Sequence, residues 1–163
     1  MNGEPLQLWC DALIERGLAT AVECRLSSGD GPLARAAAGD AASAGEDPPP
    51  LFDLASLTKP LTATLALVLD AAGRLPLASR VGDVWPEAAP ELARSTLEDL
   101  LRHRTGLRRW MPLYATCRDE RELAARLLGG EWLRDGDEVV YSDLDVMLWT
   151  LTAERGLDGT YWR

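Results

Sequence analysis

Lys59 is the one lysine of a 163-residue chain whose sixteen other cationic side chains are all arginine. Arginine stays protonated at any accessible pH. A lysine amine gives up its proton where its charge is disfavoured, and can then act as a base. Three residues earlier stands Ser56, in the run Ser56-Leu57-Thr58-Lys59. Positions i and i+3 of a helix share a face, so hydroxyl and amine can meet. The amine can take the serine proton and leave an alkoxide-like nucleophile. A helix beginning at the serine would also turn its free N–H groups and positive dipole end towards negative charge developing nearby. The same spelling fits a serine helix cap followed by an exposed lysine one turn on. The surrounding sequence has to decide.

The elements that must position this pair are readable from periodicity and punctuation. Residues 5 to 17 place Leu6, Trp9, Leu13 and Ile14 on one helical face and stop at Gly17. Residues 19 to 28 alternate Ala21, Glu23 and Arg25 against Val22, Cys24 and Leu26. Ser-Ser-Gly-Asp-Gly then turns the chain into Pro32–Gly39, which predicts a hairpin. Residues 40 to 50 are a loop by composition, their prolines excluding helix and central strand. Residues 56 to 72 predict a buried helix ended by Gly73, with Pro60 tolerable only near its start. That puts Ser56 at or just before the first turn. Further helices are predicted from a capping box at Ser95-Thr96-Leu97-Glu98 towards Gly106, over 118–128, and over 143–155 with Asp143 as N-cap.

Three ordered segments then carry a family resemblance. FDLASLTKPLTATLALVLDAAGRLPL, residues 52 to 77, resembles the nucleophile segment of class C β-lactamases, D-alanyl-D-alanine carboxypeptidases of the penicillin-binding-protein type and their esterase relatives. LEDLLRHRTGL, residues 97 to 107, resembles the helix and His-x-Ser-Gly-Leu-like turn of that family, with Thr105 where serine is usual. YSDLDVMLWTLTAERGL, residues 141 to 157, resembles its Tyr-x-Asn motif leading into a helix, and the hairpin stands where the family has its first strands. The resemblance implies an α+β fold of the β-lactamase/transpeptidase type, a helical cluster with an N-terminal β-hairpin, in one partial domain over residues 1–163. It implies a serine acyl hydrolase that works through a covalent acyl-enzyme, without cofactor or metal. Ser56 would be the nucleophile, Lys59 its proton partner, and Tyr141 the phenol that relays protons as base and then as acid. The implied substrates are small esters, β-lactams or D-Ala-peptide-like amides. His103 is expected to be structural, and Trp110 and Tyr114 to pack rather than line the cleft.

Two departures qualify the expectation. Position 143 is Asp where such lactamases carry Asn. An ionised carboxylate cannot donate to a substrate amide, and near Lys59 it would hold the ammonium proton more tightly. Asp143 is therefore expected at the substrate side of the site, with ester or peptide-like cleavage favoured over antibiotic hydrolysis. The family's third motif, a Lys/His-x-Gly strand with one oxyanion N–H, lies beyond Trp162-Arg163, so the C-terminal sheet strands are expected to be missing and turnover impaired. An unpaired hairpin edge is open to self-association. The competing expectations are a non-catalytic ligand-binding or interaction domain that keeps the helical half of the fold, and a small α-rich structural domain.

Composition bounds the partners. A net charge of −9 with scattered arginines argues against nucleic acid, which needs concentrated positive surface. Cys10, Cys24 and Cys117 are odd in number and without C-x-x-C spacing, so neither a disulfide framework nor a zinc site is expected. The first twenty residues carry Glu4, Asp11, Glu15 and Arg16, which a signal peptide's apolar core would lack. No membrane segment is expected, because the apolar run Leu61–Leu69 is about half a span. The chain as written is expected in the cytoplasm, or in the periplasm if a segment precedes it.

Overall fold

The computed structural model describes residues 3–40, 51–134 and 138–157. The predicted loop at 41–50 lies outside the described residues. The chain divides into two units, 1–53 and 54–163.

The first unit is helix α1 (Glu4–Glu15) against an antiparallel hairpin of β1 (Ala21–Ser28) and β2 (Gly31–Gly39). Ala21 pairs with Gly39 and Arg25 with Arg35, with an irregularity between Leu26 and Ser27. Strand side chains alternate between faces, so Val22, Cys24, Ala36 and Ala38 meet Leu6, Cys10 and Ile14 of α1. Glu23, on the other face, takes ion pairs from Arg25 at 2.6 Å and Arg35 at 3.0 Å. The face expected on α1 needs one correction. Trp9 is exposed and the fully buried position is Cys10, because the narrow surface of a two-stranded hairpin covers a small side chain more completely than an indole.

The second unit is helical: α2 (Thr58–Ala71), α3 (Val81–Val84), α4 (Pro90–Arg94), α5 (Leu97–Leu101), α6 (Leu113–Thr116), α7 (Glu120–Leu128) and α8 (Asp143–Gly156). Its core gathers Leu92, Leu97, Leu100, Leu107 and Leu127 around Leu144, Leu148 and Trp149 of α8. Burying each such side chain is worth about 1.5–3 kcal/mol. The most buried helix is therefore α8, not the helix that follows Ser56. Only Ala66 and Leu69 of α2 are fully covered, while Leu61, Leu67 and Val68 are 58–60% exposed. A continuous apolar run covers every face of a helix, and a single packed layer meets only one of them. Helix α2 stops as expected, with Gly73 at φ 65°.

The predicted helix from Ser95 towards Gly106 is shorter. Thr96 and Asp99, not Ser95 and Glu98, form the capping box, and α5 ends at Leu101. His103 takes the left-handed position after it, at φ 57°. Asp119 caps α7 through Glu122 N–H at 2.8 Å. Among the described residues no helix is long and apolar enough to cross a membrane.

Candidate functional site

Ser56 lies in a 3-10 turn, Ala55–Leu57, that runs straight into α2, so Lys59 is the second residue of that helix and Pro60 the third. Pro60 has no N–H to lose there. Ala55, immediately before the serine, has φ 44°. Left-handed backbone costs a non-glycine residue about 1–3 kcal/mol and collects at functional sites. The turn brings Lys59 Nζ to 3.1 Å from Ser56 Oγ, with the ammonium donating.

The opposite wall is the start of α8. Ser142, not Asp143, is its N-cap: its hydroxyl accepts the Asp145 N–H at 3.2 Å and donates to the Arg108 carbonyl at 2.7 Å. Asp143 is the first helical residue, its N–H held by the Arg109 carbonyl at 2.8 Å. Its carboxylate is thereby free to turn outwards, and it takes a hydrogen bond from Lys59 Nζ at 2.5 Å. The expectation of Asp143 as N-cap is thus corrected, because the adjacent serine hydroxyl already serves the helix. Tyr141, just before the cap, has its ring centroid 4.8 Å from Lys59 Nζ. Ser56, Lys59, Tyr141 and Asp143 therefore meet at one place although Lys59 and Asp143 are 84 positions apart.

The electrostatics follow from this geometry. Burial lowers the proton affinity of Lys59, but hydrogen bonds to Asp143 and Tyr141 outweigh it, and the amine ends above its ordinary pKa. Hydrogen bonds with Ser56 and then Lys59 hold the Tyr141 phenol below its ordinary value. At neutral pH the lysine is accordingly a charged donor, and the phenol is the easier group from which to remove a proton.

Three residues outside the expected site buttress it. His103 packs against Tyr141 with ring centroids 4.8 Å apart and the rings tilted by 51°, and its Nδ1 accepts the Ser142 N–H at 3.2 Å. Burial first, and then Lys59, lower its pKa, with Asp143 opposing. Thr105 donates its hydroxyl to Asp145, a fully buried carboxyl that burial pushes up to about 7. The lone histidine was a visible signal for the first of these. Nothing in the spelling marks Asp145, which reads as one more acidic residue near a helix start. Trp110 and Tyr114 are exposed and touch each other, so the packing expected of them is not found.

Beside Ser56 and Lys59 opens a cleft of about 440 Å³, walled by Thr62, Val146, Met147 and Leu151. A second hollow of about 350 Å³ reaches Ser56 from the side of Tyr141 and His103. Among the described residues no group of three or more His, Cys, Asp or Glu side chains could hold a metal ion.

The family described as Beta-lactamase matches residues 28–159. The crystal structure of a Beta-Lactamase/D-Alanine Carboxypeptidase from Pseudomonas syringae superposes on 90% of the chain with a TM-score of 0.64 and 19% sequence identity. At that identity the likeness is one of fold. The chain spans 42% of the length of that protein. No curated protein sequence matches it.

Proposed function

Since the chain belongs to the β-lactamase family of serine hydrolases, we propose that it is a serine acyl hydrolase in which Ser56 is acylated. The observation that carries this reading is Lys59 Nζ standing 3.1 Å from Ser56 Oγ and 4.8 Å from the centroid of the Tyr141 ring, with all three side chains lining one hollow. Nothing in a generic helical packing would bring the sole lysine and a phenol of lowered pKa to one serine. The two units are read as parts of one domain, because the family match runs through both.

In the proposed reaction Ser56 Oγ attacks the carbonyl carbon of an ester or amide, and its proton passes to Tyr141. The Lys59 ammonium favours the phenolate that accepts it. The bond to the leaving alcohol or amine then breaks as Tyr141 returns the proton to it, and water releases the acyl group from Ser56. Negative charge on the attacked oxygen is met by N–H groups at the start of the 3-10 turn and α2. The structural neighbour is a Beta-Lactamase/D-Alanine Carboxypeptidase, so β-lactams and D-Ala peptides belong to the candidate substrates. Asp143 tilts the choice towards esters, because a carboxylate already bonded to Lys59 has no proton to offer a substrate amide. The same carboxylate opposes the phenolate on Tyr141, and turnover is expected to be slow.

The test is an ester such as p-nitrophenyl acetate with intact-mass detection. An acyl adduct on Ser56, absent from Ser56→Ala and diminished in Lys59→Ala, is the expected result. Hydrolysis that survives Ser56→Ala would refute the assignment. The ion pair also favours a second reading, a non-catalytic ligand-binding or interaction domain, which predicts substrate binding without any adduct. Self-association through the edges of β1 and β2 would show as a concentration-dependent mass in solution.

A further inference from the structure

Asp145 is the ionisable group that this chemistry leaves unused, and its surroundings are unusual. The side chain is 1% exposed. Oδ1 receives the Thr105 hydroxyl, which in turn accepts the Leu107 N–H at 3.3 Å. Oδ2 is buried, has no hydrogen-bond partner among the described residues, and lies 3.5 Å from His103 Nδ1. That nitrogen already accepts the Ser142 N–H. An imidazole nitrogen carries in its ring plane either a proton or one lone pair, which two donors can share at lengthened distances such as these, so an accepting Nδ1 cannot also donate to Asp145. An ionised Oδ2 would then set negative charge against a lone pair in a buried site. A proton on Oδ2 turns the same contact into an O–H···N hydrogen bond.

We infer that Asp145 is a neutral carboxylic acid that donates from Oδ2 to His103 Nδ1, and that this hydrogen bond positions the Tyr141 ring beside Ser56 and Lys59. The route of the positioning is short. His103 sits on left-handed backbone after α5 and sets its ring, tilted by 51°, against that of Tyr141, while its Nδ1 holds the N–H of the next residue, Ser142. Asp145 fixes the tautomer and orientation of that imidazole from within α8. Other charged groups bear on the pair from each side: Arg134 favours the ionised carboxyl, Lys59 disfavours a charged imidazole, and Asp143 opposes Lys59. Burial outweighs them and pushes the carboxyl up to about 7, in keeping with the geometry. The protonation state stands without the hydrolase reading. Only the consequence for catalysis rests on it.

Because the chain has a single histidine, histidine-selective 15N labelling reports His103 alone. The expected spectrum at about pH 6.5 is a neutral ring protonated on Nε2, with an Nδ1 shift that moves as Asp145 ionises near pH 7. Asp145→Asn keeps a donor for Nδ1 and an acceptor for Thr105 but cannot ionise, so the tautomer should persist and the inflection should vanish. The cross-relaxation between His103 and Tyr141 should weaken above the inflection in the wild-type chain and stay constant in Asp145→Asn. A proton on Nδ1 at about pH 6.5, or the same inflection in Asp145→Asn, would overturn the inference. A Ser56 that never acylates would refute the hydrolase reading and leave these spectra to decide the hydrogen bond.

Discussion

Asp145→Asn should abolish a large part of the pH dependence of folding stability. In the unfolded chain the carboxyl titrates near its ordinary 3.8, and in the folded chain burial pushes it up to about 7. Between those values the folded state keeps a proton that the unfolded state has released. The stability linked to that proton is complete below about pH 4, declines as pH rises, and is gone above about pH 7. At roughly 1.36 kcal/mol for each of about three pH units, the decline amounts to about 4 kcal/mol. A domain commonly has about 5–15 kcal/mol in total, so a change of this size is readily measured. The asparagine variant never ionises, keeps both hydrogen bonds, and should unfold with little dependence on pH across this window. Urea unfolding followed by tryptophan fluorescence at about pH 5 and about pH 8 measures it, with the buried Trp149 of α8 as reporter. Between these two pH values the variant should gain on the wild type by about 3 kcal/mol, the part of the decline that falls above about pH 5. Parallel losses in the two proteins between the two pH values would refute the reasoning, because other groups would then set the slope.

The start of α8 and the hairpin supply the remaining predictions. Ser142→Ala removes a buried cap hydroxyl and should cost about 1–2 kcal/mol in urea unfolding, whereas Asp143→Asn, one position on, should leave stability nearly unchanged. Asp143→Asn should instead act on Tyr141. The Asp143 carboxylate opposes the phenolate on that ring, so losing its charge should speed Ser56 acylation near neutral pH several-fold; slower acylation would show that Asp143 positions the amine. Gly39→Ala should destabilise the first unit by more than about 1 kcal/mol, since the residue has φ 63° and a Cβ there would lie 2.1 Å from the Thr20 carbonyl oxygen. Faster amide exchange in β1 and β2 is the readout.

What the sequence determined by itself is local. The three-residue offset of Ser56 and Lys59, the alternation along β1 and β2, and Gly73 as a stop each express hydrogen bonding between near neighbours in the chain. Such patterns survive whatever the rest of the protein does, and the α+β arrangement of hairpin and helices was legible from them. Tertiary structure decided which of several permitted roles a residue plays. Asp143 could cap α8 or meet Lys59, and it meets Lys59 because Ser142, tied to the Arg108 carbonyl, takes the cap. The apolar run of α2 could have been core on every side, but only the stripe around Ala66 and Leu69 finds a packed layer. Asp145, Thr105 and His103 carry no shared spacing, and their meeting depends on the turn after α5 lying against the first turn of α8. A carboxyl's proton affinity is set by the solvent and charges that packing leaves around it, so Asp145 acquires its character only when that contact closes.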